Sequence, residues 1–137
     1  MTDSKLNSFG AYIFESDECS CYPCRVSLID AKIGERVLAI NHEHLAVNTP
    51  YKSAGPIFVR KDANVANLSV NEVPQMLRHR MLSVRGYNND NLMIKANTVI
   101  GEELENILTE QFTDKTVNLV QIHNAGPGCF NCSVVRA

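Results

Sequence analysis

Beyond its first twenty residues the chain alternates short apolar runs with clusters of turn-forming residues. Runs of this length, rich in Val, Ile, Phe and Tyr and bounded by Gly, Pro, Asn or Asp, are typical of strands. The predicted strands are Arg25–Ile29, Arg36–Ile40, Ile57–Arg60, Leu82–Tyr87, Leu92–Ile100, Val117–His123 and Phe130–Val135. Residues 1–20 are polar and lack a period, so we expect them to be irregular or frayed.

The residues between these runs indicate how the strands connect. Asn88–Asn91 tolerate left-handed backbone and predict a hairpin, and the Gly/Pro-rich segment Asn124–Gly128 predicts a second one. Asp30–Glu35 favours either a hairpin or a short crossover between the first two strands. Val73-Pro74 predicts a turn or short helix that continues to Arg80.

One segment, Gly101–Phe112, has the period of an amphipathic helix. Glu102 and Glu103 lie in its first turn, where the helix dipole favours negative charge. Its apolar stripe consists of Leu104, Ile107, Leu108 and Phe112. The pattern as a whole predicts a single α+β domain over residues 1–137, with a mainly antiparallel sheet of about six to eight short strands and one clear helix.

Composition narrows the classes of partner. The chain has 137 residues, of which 45% are hydrophobic and 20% charged, and its net charge is −2. Both signs are interspersed, so we expect neither nucleic acid nor a membrane as a partner. The opening MTDSKLNSFG lacks the basic and apolar regions of a secretory signal, which predicts a cytoplasmic protein. Nothing in the pattern indicates an oligomeric state.

Four of the five cysteines form two C-x-x-C pairs, Cys21/Cys24 and Cys129/Cys132. Two such pairs can supply a tetrahedral zinc site, with His123 as a substitute ligand for Cys21. Residues three apart on a strand point to opposite faces, however, so Cys129 and Cys132 diverge if that segment is extended. The alternative is that these are buried core thiols. Cys19 is expected to be an incidental surface thiol.

A Cys–His pair is a second candidate for chemistry. If the last predicted hairpin turns tightly at 125–128, His123 lies opposite Phe130 and shares a face with Cys132. His123 and Cys132 are therefore candidate catalytic residues, as base and nucleophile, with a structural histidine as the alternative. His42 and His44 are assigned to the polar end of a loop.

Three arginines lie on or at the ends of predicted strands: Arg25, Arg60 and Arg85. Guanidinium groups bind carboxylate or phosphate through paired N–H donors, so their convergence would form an anion site. Tyr51 and Ser53 could add hydroxyl donors. The predicted partner is then a small acidic ligand in an arginine-lined pocket, and the protein is a binding protein or an enzyme. The alternative places these arginines on the solvated face of a sheet.

Several segments resemble one bacterial family: Tyr22–Arg25, Pro50–Arg60, Leu82–Arg85 and His123–Phe130. That family is catalogued only as domain of unknown function 1203, and the similarity runs from about Cys21 to the end of the chain. That family has no assigned activity, cofactor or catalytic residue, so the resemblance assigns none to this chain. The two functional hypotheses therefore stand side by side, a protein that binds a small anion and a structural zinc protein that serves a protein partner.

Overall fold

Two antiparallel sheets and one long helix make up the fold in the computed structural model, which describes residues 2–17 and 22–137. The first sheet has the order β1-β2-β3, with β1 at Tyr12–Glu15, β2 at Arg36–Leu45 and β3 at Ser53–Arg60. The second has the order β5-β4-β6-β7, with β4 at Met81–Tyr87, β5 at Met93–Ile100, β6 at Leu119–Asn124 and β7 at Phe130–Val134. Helix α1 spans Asp3–Ser8 and α2 spans Leu104–Thr113.

The apolar core lies between α2 and one face of the second sheet. It consists of Met76, Leu77, Leu82, Val84, Leu104, Ile107, Val117, Val120 and Ile122. Side chains alternate between the faces of a strand, so burial of Leu82 and Val84 puts Ser83 and Arg85 of β4 on the opposite face. The same alternation puts Gln121 and His123 of β6 on that second face, where both are buried. Gln121 hydrogen-bonds there to His44 of the first sheet.

The α+β class and its mainly antiparallel sheets confirm the prediction, with seven strands in the described residues. The hairpin at Asn88–Asn91 joins β4 to β5, and a 3-10 turn at Gln75–Leu77 lies where a turn or short helix is predicted. The helical stripe is also correct, because Leu104 and Ile107 are buried and Leu108 and Phe112 pack against the core.

Three predictions of the fold are wrong. His42 and His44 lie on β2 and not at the end of a loop. Arg25–Ile29 is a tight turn and not a strand: the Leu28 N–H donates to the Cys24 carbonyl at 2.9 Å, and Leu28 takes a positive φ of 56°. Residues 1–20 are not irregular throughout, since α1 and β1 lie within them. Thr2 caps α1, and β1 is held by pairing with β2, a partner more than twenty positions away that no local pattern reveals. In the part of the chain that is described, no helix combines the length and hydropathy needed to cross a bilayer.

Candidate functional site in the cleft between the sheets

A cleft of about 180 Å³ opens where the ends of β2 and β3 meet β4 and the turn before β7. Its lining residues are His44, Ser53, Ala54, Gly55, Pro56, Arg85, Pro127, Gly128, Cys129 and Phe130. Each sheet supplies one wall, and neither sheet forms the cleft alone.

Two β-bulges border this cleft. Between β2 and β3, His42 pairs with Gly55 but Leu45 pairs with Ser53, so the register shifts beside His44. A bulge adds a residue to one strand and re-aims the side chains around it, which is why bulges are common next to functional sites. In β7 the extra residue is Asn131, which places Phe130 opposite His123.

Arg85 supplies the fixed positive charge of the cleft. Its Nε donates to the Ser83 hydroxyl at 3.1 Å, and none of the described carboxylates is paired with it. Arg36, Arg60, Arg78 and Arg80 each have a carboxylate partner, in contrast, and Arg25 and Arg136 donate to backbone carbonyls. A half-buried guanidinium without a counterion is a ready binding group for an oxyanion.

His44 is held in one tautomer by Gln121. The Gln121 amide nitrogen donates to the His44 carbonyl at 2.7 Å, so the amide oxygen is the atom that faces the His44 ring. That oxygen lies 2.9 Å from Nδ1, which must therefore carry the proton. The neutral ring keeps its lone pair at Nε2. Burial, followed by the charges of Arg85 and His42, lowers the pKa of His44, which favours the neutral ring.

His123 lies behind His44 and is fully buried. Its Nδ1 is 2.9 Å from the Gly128 carbonyl and its Nε2 is 3.2 Å from the Gln121 amide oxygen. Both neighbours are acceptors, and a neutral imidazole has only one N–H to donate. Burial, with Arg85, His44 and Arg25 adding to it, nevertheless lowers the pKa of His123 to about 4.

Phe130 forms the aromatic side of this cluster. The His44 ring stacks on it with an interplanar angle of 7° and a centroid distance of 5.4 Å, and the His123 ring meets it edge-on at 5.6 Å. Stacking and the Gln121 hydrogen bonds together fix the position of His44, the one histidine that lines the cleft.

The three predicted arginines do not meet in one cavity. Arg85 lines the cleft, whereas Arg60 lies at the far end of β3 and donates to Glu35 at 2.7 Å. Arg25 is a structural link: its Nε donates to the Phe130 carbonyl at 2.7 Å and its Nη1 to the Pro23 carbonyl at 2.6 Å. Burial lowers the pKa of Arg25 to about 10, so it remains charged at neutral pH.

The two hydroxyl candidates also separate. Ser53 lines the cleft at the start of β3. Tyr51 is not among the lining residues, and its ring packs edge-on against Tyr87 at 6.1 Å. Of the predicted ligand-binding residues, two thus line the cleft, Ser53 and Arg85. Sequence reasoning missed His44 and Gln121, for which alternation along β2 and β6 was the available indication.

The cysteines occupy different environments. Cys129 lines the cleft, Cys132 packs against the core, and Cys24 is buried in the turn before Ser27. Burial raises the pKa of Cys24, but hydrogen bonds outweigh this and leave that pKa lowered. The Ser27 hydroxyl contributes most, followed by the N–H groups of Ser27 and Arg60, at 3.4 and 3.3 Å from the sulfur.

Cys129 and Cys132 thus lie apart, Cys129 at the cleft and Cys132 against the core. Over residues 2–17 and 22–137, no three His, Cys, Asp or Glu side chains are grouped to hold a metal. Cys19 and Cys21 lie outside the described residues, and the four-cysteine zinc site stays a prediction.

The prediction that His123 and Cys132 share a face of the sheet is wrong. Cys132 pairs with Ile122, and both side chains contact the core, whereas the neighbouring His123 points to the cleft side. The bulge at Asn131 causes this difference, because it shifts the register by one residue. Burial also raises the pKa of Cys132 to about 12, which keeps it a thiol.

Thiol labelling should distinguish these environments. We expect iodoacetamide to modify Cys129 at least about tenfold faster than Cys132, because only an accessible thiolate reacts. Peptide mass spectrometry after timed labelling of the native protein measures both rates, and labelling in urea gives the reference in which they should converge. Equal rates in the native protein would contradict the placement of Cys132 in the core.

The fold and the site define an α+β protein in which two antiparallel sheets flank a small cleft with one uncompensated arginine. The chain belongs to the family described as a protein of unknown function, DUF1203, whose model matches residues 21–136. This confirms the resemblance found in its segments. No curated protein and no solved structure matches the chain.

Proposed function

We propose that this protein binds a small oxyanion, such as a carboxylate or an inorganic oxyanion, in the cleft between its sheets. The observation that carries the proposal is Arg85, a half-buried guanidinium that lines the cleft and has no carboxylate partner in the described residues. Burying a charge without a counterion is costly, and a bound anion would supply the counterion.

The rest of the lining supports a small ligand. Ser53 offers a hydroxyl, while Pro56, Pro127 and Phe130 offer apolar walls around the charged group. A few polar groups within apolar walls are typical of small-molecule sites, in which the polar groups orient the ligand. A single fixed positive charge favours an anion of low charge.

The test compares Arg85→Gln with a matched control. Arg36→Gln also removes one positive charge, but Arg36 lies at the opposite end of β2 and pairs with Asp3. The probes are sulfate, phosphate and acetate at constant ionic strength, and the measurement is the thermal midpoint.

At a concentration ten times its Kd, an anion stabilises the native state by about 1.4 kcal/mol, or roughly 5 °C for a chain of this size. We expect the wild type and Arg36→Gln to show this rise and Arg85→Gln to lose it. Sulfate also stabilises proteins without binding a site, and that general effect is common to all three proteins. Equal shifts in the three would refute the anion site.

A further inference from the structure

We infer that an anion bound beside Arg85 enters the cleft together with one proton, which His44 holds at Nε2. This role for His44 rests on the proposed anion site and adds to it a dependence on pH. The ligand of the cleft is then an oxyanion plus a proton, and not an oxyanion alone.

The hydrogen bonds of His44 leave Nε2 as the ring atom that can take up this proton. Its Nδ1 proton is committed to Gln121, and the described residues offer no hydrogen-bond partner for Nε2. Since His44 lines the same cleft as Arg85, a neutral ring presents a lone pair to an incoming anion. Two acceptors repel each other, whereas a protonated ring presents an N–H donor and a positive charge.

The charges around His44 make the coupling strong. The groups that face it are Arg85 from β4, His42 from its own strand and His123 from β6, with no carboxylate among them. The nearest acidic neighbour in sequence, Glu43, is exposed and paired with Lys52 at 3.6 Å. Without a bound anion these groups oppose protonation of His44. An anion that neutralises Arg85 removes the largest opposing charge, so proton uptake follows binding.

Coupling of this kind is reciprocal, so protonation must also tighten anion binding. Sulfate is the suitable probe because it stays fully ionised between about pH 5.5 and about pH 7.5, which assigns any pH dependence to the protein. Isothermal titration calorimetry should show sulfate affinity rising as the pH falls, by up to about tenfold per pH unit. Titrations in buffers of different ionisation enthalpy should show uptake of up to one proton.

Two variants isolate the residue. His44→Asn keeps a side-chain N–H near the position of Nδ1 but removes the titrating nitrogen, and we expect sulfate affinity to become independent of pH. His42→Asn is the matched control, because His42 also contacts Phe130, at 5.8 Å, but does not line the cleft. It should retain the pH dependence. In the wild type, sulfate should raise the titration midpoint of the His44 ring measured by NMR, a readout that needs no variant.

The outcomes separate the two proposals. If sulfate, phosphate and acetate all fail to bind the wild type at every pH, the anion site itself is overturned. Sulfate that binds with the same affinity at every pH would leave the anion site standing and overturn the role of His44. A pH dependence that survives in His44→Asn, or a His44 ring whose midpoint does not move, would overturn it as well.

Discussion

The Gly101→Ala variant is expected to lose about 4 kcal/mol of its free energy of unfolding, a large fraction of the stability of an ordinary domain. Gly101 begins the turn that leads into α2, and its N–H donates to the Arg80 carbonyl at 2.8 Å. A Cβ there would lie 1.7 Å from the Leu77 carbonyl oxygen and 2.6 Å from its carbon. These are backbone atoms of a 3-10 turn, so they cannot rotate away.

Urea unfolding followed by circular dichroism measures this loss. The matched control is Gly55→Ala, because a Cβ at Gly55 meets nothing within 4 Å and its backbone is in a strand. We expect the control to change stability by no more than about 0.5 kcal/mol. A Gly101→Ala protein within about 1 kcal/mol of wild type would show that the approach of α2 to this turn is looser than described.

Acidification is expected to remove about 2 kcal/mol of stability between about pH 7.5 and about pH 5 through His123 alone. Burial lowers its pKa from 6.5 to about 4, so in this range the unfolded chain binds a proton that the folded protein excludes. Stability is therefore complete above pH 6.5 and decreases as the pH falls toward 4. His44, whose pKa is also lowered, adds to the loss in the same direction.

The check is the free energy of unfolding of the wild type and of His123→Asn at the two pH values. Asparagine retains an N–H donor for the Gly128 carbonyl, and the quantity compared is the difference between pH values, which cancels the cost of the smaller side chain. That difference should shrink in the variant. NMR of the wild type should show a His123 ring that titrates near pH 4, and a midpoint near 6.5 would contradict the predicted burial effect.

What the sequence predicts well here is local. The α2 stripe follows from a period of 3.6 residues, and the hairpin of β4 and β5 follows from four consecutive Asn and Asp residues between apolar runs. Arg85 was recoverable for the same reason, since alternation along β4 sets its side chain opposite Leu82 and Val84. These features depend on residues only a few positions apart.

The rest of the site depends on contacts between distant parts of the chain. Gln121 and His44 are 77 positions apart, and Arg25 and Phe130 are 105 apart. Arg60 lies on a predicted strand as Arg85 does, yet its charge is neutralised by Glu35. The fold of the first sheet brings these two residues together. The bulges at His44 and Asn131 likewise arise from pairing geometry, and each changes which side chains share a face.

The turn at Pro127–Phe130 completes the wall that the second sheet supplies, and this has a consequence for the order of assembly. Ribosomes make β2, β3 and β4 well before that turn, so the cleft of a growing chain lacks part of its lining until residue 130 has emerged. Ligand capture would then report that synthesis and folding have both passed this point, and a bound anion would stabilise only chains that have reached it.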